Sequence, residues 1–164
     1  MWRTVLLILF ERVNLSFDEN ALLTVVTNPR SFMAVNQGNL MGLLGDGTLL
    51  EYDDRQQKAI MQFDVRPEFC HSDVTVAQGG FVPAWMKAAM AHVVGSASHG
   101  QFSVVILELK VTVASTAGPG QVVAEAWVLS MGRTIAFLEG QLSDPAGKLL
   151  ATSSSTAKLV PDNR

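Results

Sequence analysis

A single cysteine, Cys70, is all the thiol this 164-residue chain holds, so an intramolecular disulfide is excluded and a reducing, cytoplasmic compartment is the expected home. Charge is scarce too: Asp, Glu, Lys and Arg make up 16% of the residues, the net charge is −3, and there is no run of Lys or Arg. A nucleic-acid binder would need a basic footprint, so that class is set aside. The three histidines, His71, His92 and His99, lack zinc-ligand spacing, and neither a metal nor a cofactor is expected. Long apolar runs are missing as well. In the N-terminal stretch MWRTVLLILFERVNLSF the apolar run is only six residues, Val5 to Phe10, and Glu11, Arg12 and Asn14 follow where a cleavage site would need small residues. That reads as an amphipathic helix rather than a signal peptide or a bilayer span.

What the chain does have is apolar mass, 48% of its residues, without repeats or low-complexity linkers. That is enough for one ordinary domain with a core. The most informative stretch is Phe69 to Val94, FCHSDVTVAQGGFVPAWMKAAMAHVV, which runs a polar loop into a helix with almost no polar face. Between Gln78 and Ser96 only Gln78, Lys87 and His92 are strongly polar, so the pattern predicts a helix buried all round. Gly79 and Gly80 stand at its start. There the unpaired N–H groups of the first turn and the positive end of the helix dipole suit an oxyanion or a polarised carbonyl.

Around this helix the period changes to two. Asn36 to Leu44 reads as a short helix closed by Gly45, Asp46-Gly47 as a turn, and Thr48 to Tyr52 and Lys58 to Val65 as strands. After the central helix, Ser103 to Val113 places Val105, Leu107, Leu109, Val111 and Val113 on one face. Val122 to Met131, Ile135 to Leu142 and Lys148 to Val160 follow, separated by the breaks Gly118-Pro119-Gly120, Met131 to Thr134 and Asp144 to Gly147. Four consecutive strands with short connections predict an antiparallel meander. The resulting α+β expectation is a curved antiparallel sheet of about five or six strands wrapped around one long helix, with an additional N-terminal helix.

Three segments carry a closer likeness: AQGGFVPAWMKAAMAH at Ala77 to His92, LELKVTVASTAGPGQVVAEAWV at Leu107 to Val128, and GRTIAFLEGQLSDPAGKLLATSSST at Gly132 to Thr156. In this order they resemble the PaaI-like branch of hotdog-fold acyl-CoA thioesterases, over roughly Asn39 to Val160. The resemblance implies a hotdog thioesterase-like domain at 36–164 behind a helical extension at 1–35. It also implies hydrolysis of an acyl-CoA or acyl carrier protein thioester, and a homodimer or homotetramer as the working form. Gly79 matches the glycine whose backbone N–H polarises the thioester carbonyl, and Gln78 the polar residue beside it. Nine residues beyond Gln78, where the family carries Asp or Glu as nucleophile or base, this chain has Lys87.

Lysine is ordinarily cationic and cannot act as a carboxylate base, so Lys87 admits two readings. One is a pocket that binds acyl or anionic groups without hydrolysis, an acyl-CoA binding or regulatory protein. The other is a thioesterase scaffold in which the lysine stem snorkels to an interface. Lys87 shares its helical stripe with Gly80, Ala84, Ala91 and Val94, so it is expected among small packed residues. Asp73 is the best substitute base in reach, with His71 second, and the simpler reading of both is a solvated turn. Gly80 and Ala91 on the helix, and Ser154 and Arg133 on the strands and turns, are the substrate-binding candidates. For CoA phosphates Arg133 comes first, with Lys148 and Lys158 behind it. His92 is expected to be a hydrogen-bonded structural residue, Cys70 an ordinary thiol, and Trp85, Met86, Met90 and Trp127 core or interface.

Overall fold

The computed structural model describes residues 40–162. The extension expected at 1–35 lies outside the described residues. Helix α1 (Leu40–Leu43) leads into β1 (Thr48–Asp53) and β2 (Lys58–Val65), followed by a 3-10 turn (Pro67–Phe69) and a small hairpin of β3 (Cys70–His71) and β4 (Val76–Ala77). Next comes the long helix α2 (Phe81–Ala97), then β5 (Phe102–Val113), β6 (Gly120–Met131), β7 (Ile135–Ser143) and β8 (Leu149–Pro161). Six strands form one antiparallel sheet in the order β1-β2-β6-β7-β8-β5. No helix among the described residues is long and apolar enough to cross a membrane.

Helix α2 packs against β2, β5, β6, β7 and β8. A helix about 10–12 Å across touches five strands, about 19 Å of sheet, only if the sheet curls around it. The sequence provides for this nesting by putting small residues where the helix sits. Ala124 and Ala126 of β6, Ala136 and Gly140 of β7, and Ala151 and Ala157 of β8 are all buried. At Gly140 a Cβ would lie 2.7 Å from the Glu125 carbonyl oxygen and 3.6 Å from the Met90 methyl, so no side chain fits between helix and sheet there. Larger residues fill the margins: Met61, Phe63, Leu138 and Leu142 from the strands, and Trp85, Met86, Met90, Val93 and Val94 from the helix. The core reading of Trp85, Met86 and Met90 holds. Trp127 lies instead on the outer face of the sheet, half-buried.

Strand positions follow the two-residue period closely, but their neighbours do not follow sequence order. The meander is β6-β7-β8 alone. β5 pairs with β8, at the sheet edge, and β6 pairs with β2. The Gly118-Pro119-Gly120 break belongs to a crossover that passes the ends of β7 and β8. Three strand spacings come to about 14 Å, within reach of a six-residue connection. The Leu150 carbonyl pins the crossover by accepting from the Ala114 and Ser115 N–H groups at 2.8 and 3.0 Å, while the buried Ala117 accepts from the Ala77 N–H at 2.8 Å.

The expected single apolar face of β5 is also corrected. A bulge between Ile106 and Glu108 puts Leu107 out of register. Val104 and Ile106 pack on the core before it, Leu109 and Val111 after it, and Val105, Leu107 and Val113 are left exposed. One extra residue shifts the period-two phase by one, which moves the following side chains to the other face.

Ahead of the sheet, Gly45 closes α1 with φ +88°, and its carbonyl accepts from the Asp64 N–H at 2.8 Å. A Cβ there would fall 2.0 Å from the Asp64 carbonyl oxygen, so the stop requires glycine. Arg66 pairs with Asp46 at the same corner. On β1, Tyr52 donates its hydroxyl to Asp54 Oδ1 at 3.4 Å; burial, then the nearby charge of Asp54, raise its pKa above the usual tyrosine value. Because Tyr52 is the only tyrosine, phenolate absorbance reads this group alone. The titration midpoint is expected above about 10. Stability contributed by the neutral phenol is present below the unfolded pKa and is lost as pH rises through the folded one. Asp54→Asn is expected to move the midpoint part of the way back, and an unchanged midpoint would remove Asp54 as a cause.

Candidate active site

The start of α2 is fixed by aromatic packing. Phe69 of the 3-10 turn stacks on Phe81 with ring centres 4.4 Å apart, Phe81 lies 5.8 Å from Trp85, and Trp85 6.4 Å from Phe63 of β2. The Trp85 indole N–H donates to the Leu44 carbonyl at 2.8 Å, so the buried ring leaves no polar atom unpaired. This stack holds the Gln78-Gly79-Gly80 turn against the hairpin. The Gln78 N–H donates to the Phe69 carbonyl at 2.8 Å, and the Gln78 carbonyl accepts from the Phe81 N–H at 3.0 Å.

The Gln78 side chain then decides which N–H stays free. Its Oε1 accepts from the Gly80 N–H at 2.6 Å, capping a helix whose N-cap residue, Gly80, has no side chain to offer. Among the described residues the Gly79 N–H has no protein acceptor. Gly79 is exposed, and a Cβ built on it would meet nothing within 4 Å. A donor in this position, at the positive end of a 17-residue helix, is suited to a carbonyl oxygen that is gaining charge. The capping role of Gln78 was not anticipated from the sequence. The signal for it was the two-residue spacing of a side-chain acceptor before Gly80.

Helix α2 is not buried all round. Ala84, Lys87 and Ala91 form a stripe that the sheet does not cover; Lys87 is exposed, and Ala84 and Ala91 are half-buried. Val94, expected on the same stripe, turns fully into the core. The expectation of Lys87 among packed small residues is therefore corrected: its small neighbours leave a shallow open strip rather than a filled interior. Lys87 stands about 10 Å along the axis from Gly80, two turns away. His92 is half-buried, with its Nδ1 3.3 Å from the Ala88 carbonyl, the structural role expected of it.

The other candidates are not gathered here within one chain. Cys70 pairs with Ala77 and His71 with Val76, so the hairpin runs away from Gln78 and carries Asp73 at its exposed tip. Three residue pairs separate Phe69 and Gln78 from Ser72 and Thr75, about 10 Å of strand. Arg133 and Lys158 lie at the end of the sheet nearest the C-terminus of α2, where Phe102 pairs with Pro161, whereas Lys148 lies at the Gly79 end. Ser154 points outward from β8, on the face of the sheet opposite α2. Among the described residues no group of His, Cys, Asp and Glu is arranged to hold a metal.

The model of the thioesterase superfamily matches residues 76–151, from β4 through the Gln78-Gly79-Gly80 turn and α2 to the first residues of β8. The chain is a hotdog-fold protein of the thioesterase superfamily. A variant of the phenylacetic acid degradation protein PaaI from Thermus thermophilus is similar at 25% identity, over 72% of this chain and 96% of that one, with a TM-score of 0.60. A phenylacetic acid degradation-related protein from Ralstonia eutropha shares 24% identity over 73% of this chain and 88% of its own, with a TM-score of 0.67. A thioesterase from Haemophilus influenzae shares 16% identity over 79% and 90%, with a TM-score of 0.67. The last two likenesses are of fold. No curated protein matches the chain in sequence. The PaaI-like resemblance drawn from Ala77 to Thr156 is thus borne out.

The hairpin in front of this hotdog domain's helix is strained. Ser72, Asp73 and Val74 have φ of 53, 56 and 66°, three successive left-handed residues without a glycine. The Thr75 hydroxyl and N–H both donate to the Ser72 carbonyl, at 2.6 and 3.3 Å, and hold the tip closed. For β-branched, exposed Val74 this conformation costs about 1–2 kcal/mol. Val74→Asn, which tolerates the left-handed region, is expected to raise stability by about 1 kcal/mol in urea denaturation. An unchanged or lower midpoint would show that the tip carries no strain.

Proposed function

We propose that this chain hydrolyses acyl thioesters of coenzyme A or of acyl carrier protein, with the free Gly79 N–H at the start of α2 polarising the thioester carbonyl. That unpaired donor is the observation that carries the reading, and membership of the thioesterase superfamily supports it. Water adds to the carbonyl carbon while the oxygen gains charge against the Gly79 N–H; the C–S bond then breaks, and the thiolate leaves and takes a proton. Gln78 is a positioning residue, since it engages the Gly80 N–H and leaves that of Gly79 for the substrate. Gly80 and Ala91 border the strip along which the acyl chain lies.

Lys87 changes this chemistry. On the open strip it offers an ammonium where a carboxylate would activate water, so it favours anionic groups and gives no general base. Hydrolysis by the unmodified chain is therefore expected to be slow. The same observation favours a second reading from another class, a non-catalytic acyl-CoA binding or regulatory protein. A homodimer formed by pairing two β5 edges, or a tetramer of such dimers, fits both readings, because β5 is a 12-residue edge strand with unpaired backbone groups. In an assembly of that kind Asp73, Arg133 and Ser154 of one copy become available to Gly79 of another, while Lys148 serves its own copy. A cytoplasmic setting follows from the lone thiol.

Release of free thiol from a panel of acyl-CoA substrates tests the reading. Slow turnover by the native chain and a rise of about 100-fold in kcat/KM for Lys87→Asp are expected, the size of one general base. Saturable acyl-CoA binding with no thiol release from either protein would leave the binding-only reading.

A further inference from the structure

The outer face of the sheet carries a groove that the thioesterase reading does not use. It encloses about 270 Å³, below the usual range for drug-sized ligands and room for a small polar molecule. The sheet separates it from α2 and Gly79. Its floor is a row of directly opposed residues: Trp127 on β6 faces Glu139 on β7, Glu139 faces Ser154 on β8, and Ser154 faces Lys110 on β5. A second row, Gln141, Thr152 and Thr112, lies beside it.

The charges in this groove are separated rather than neutralised. Glu139 and Lys110 are the two charged side chains lining it, and they form neither an ion pair nor a hydrogen bond with each other or with any other described residue. Next to it, across Trp127, Lys58 pairs with Glu125, so those charges cancel. Two strand spacings, about 10 Å between Cα positions, separate the Glu139 and Lys110 backbones, with only the short Ser154 between them. At one end a carboxylate stands beside an indole ring, a combination that attracts an ammonium through both its charge and its hydrogen-bond donors. At the other end an ammonium stands beside the Thr112 and Ser154 hydroxyls, which make no hydrogen bond to other described residues and are free to donate to a carboxylate. Bulges at Leu107 of β5 and Leu129 of β6 flank the row, three residues from Lys110 and two from Trp127. Such bulges re-aim the side chains that follow them.

We propose that this groove binds a small zwitterionic amino acid, its ammonium held by Glu139 and Trp127 and its carboxylate by Lys110, Ser154 and Thr112. The site stands on the opposite face of the sheet from Gly79 and does not depend on hydrolysis.

Calorimetric titration of the full chain with glycine, β-alanine, 4-aminobutanoate and 6-aminohexanoate presents the two charges at increasing separation. Ethylammonium and propionate present one charge each. Saturable binding of at least one zwitterion is expected, at least about tenfold tighter than either single-charge compound. Glu139→Gln and Lys110→Met should each weaken it by about tenfold or more, with unchanged circular dichroism because both side chains point outward. If no zwitterion saturates, if ethylammonium or propionate binds as well, or if folded variants bind like the parent, the proposal is overturned. Should a variant not fold, the comparison of probes on the parent chain decides alone.

Discussion

The structure depends on burying one helix that has almost no polar side chains. Eight residues of α2, from Val82 to Val94, are buried, and Trp85, Ala89, Met90, Val93 and Val94 have no exposed surface at all. At about 25 cal/mol per Å² of apolar surface, no other element offers a comparable driving force. It explains why the sheet curls, why its middle is lined with alanines and Gly140, and why the strands are long at the margins. The same burial fixes the helix start. The stack from Phe69 through Phe81 and Trp85 to Phe63 holds the first turn in place, so Gly79 points its N–H outward at a defined location instead of on a mobile loop.

A rigid helix start with one free donor is a general device for polarising a carbonyl; the rest of the reaction comes from what lies along the exposed strip. In this chain the strip presents Ala84, Lys87 and Ala91, and the nearest hairpin carries its carboxylate away. Electrostatics near Gly79 are therefore positive throughout: helix dipole, free N–H and Lys87. Such a site holds a carbonyl or an anion well and activates water poorly. Membership of the thioesterase superfamily and the change at Lys87 are consistent with each other on these terms, since fold and carbonyl binding do not need the acid.

Much of this was legible in the sequence. Lys58 to Val65 was placed as a strand to the residue, the other long strands to within two, and the Gln78-Gly79-Gly80 turn stood out because an apolar helix must start somewhere polar. Neighbour relations were not legible. Periodicity reports which face a residue occupies, but not which strand lies beside it, so β5 was assigned to the wrong partner. A bulge adds one residue without altering composition, which hid the flip at Leu107. Side-chain exposure on α2 also escaped, because the pattern of Ala84, Lys87 and Ala91 alone does not reveal where the sheet stops. The outer-face row from Trp127 to Lys110 exists only through cross-strand register, and residues so far apart along the chain have no visible relation in a linear reading.

The central claim is that the Gly79 N–H receives the thioester carbonyl. Amide NMR of the full chain, titrated with a ketone analogue of an acyl-CoA that keeps the carbonyl but cannot be cleaved, tests it most directly. The account predicts a downfield shift of the Gly79 amide proton that saturates with the analogue, larger than that of Gly80, whose N–H is already held by Gln78. Saturable binding that leaves Gly79 unmoved would contradict it.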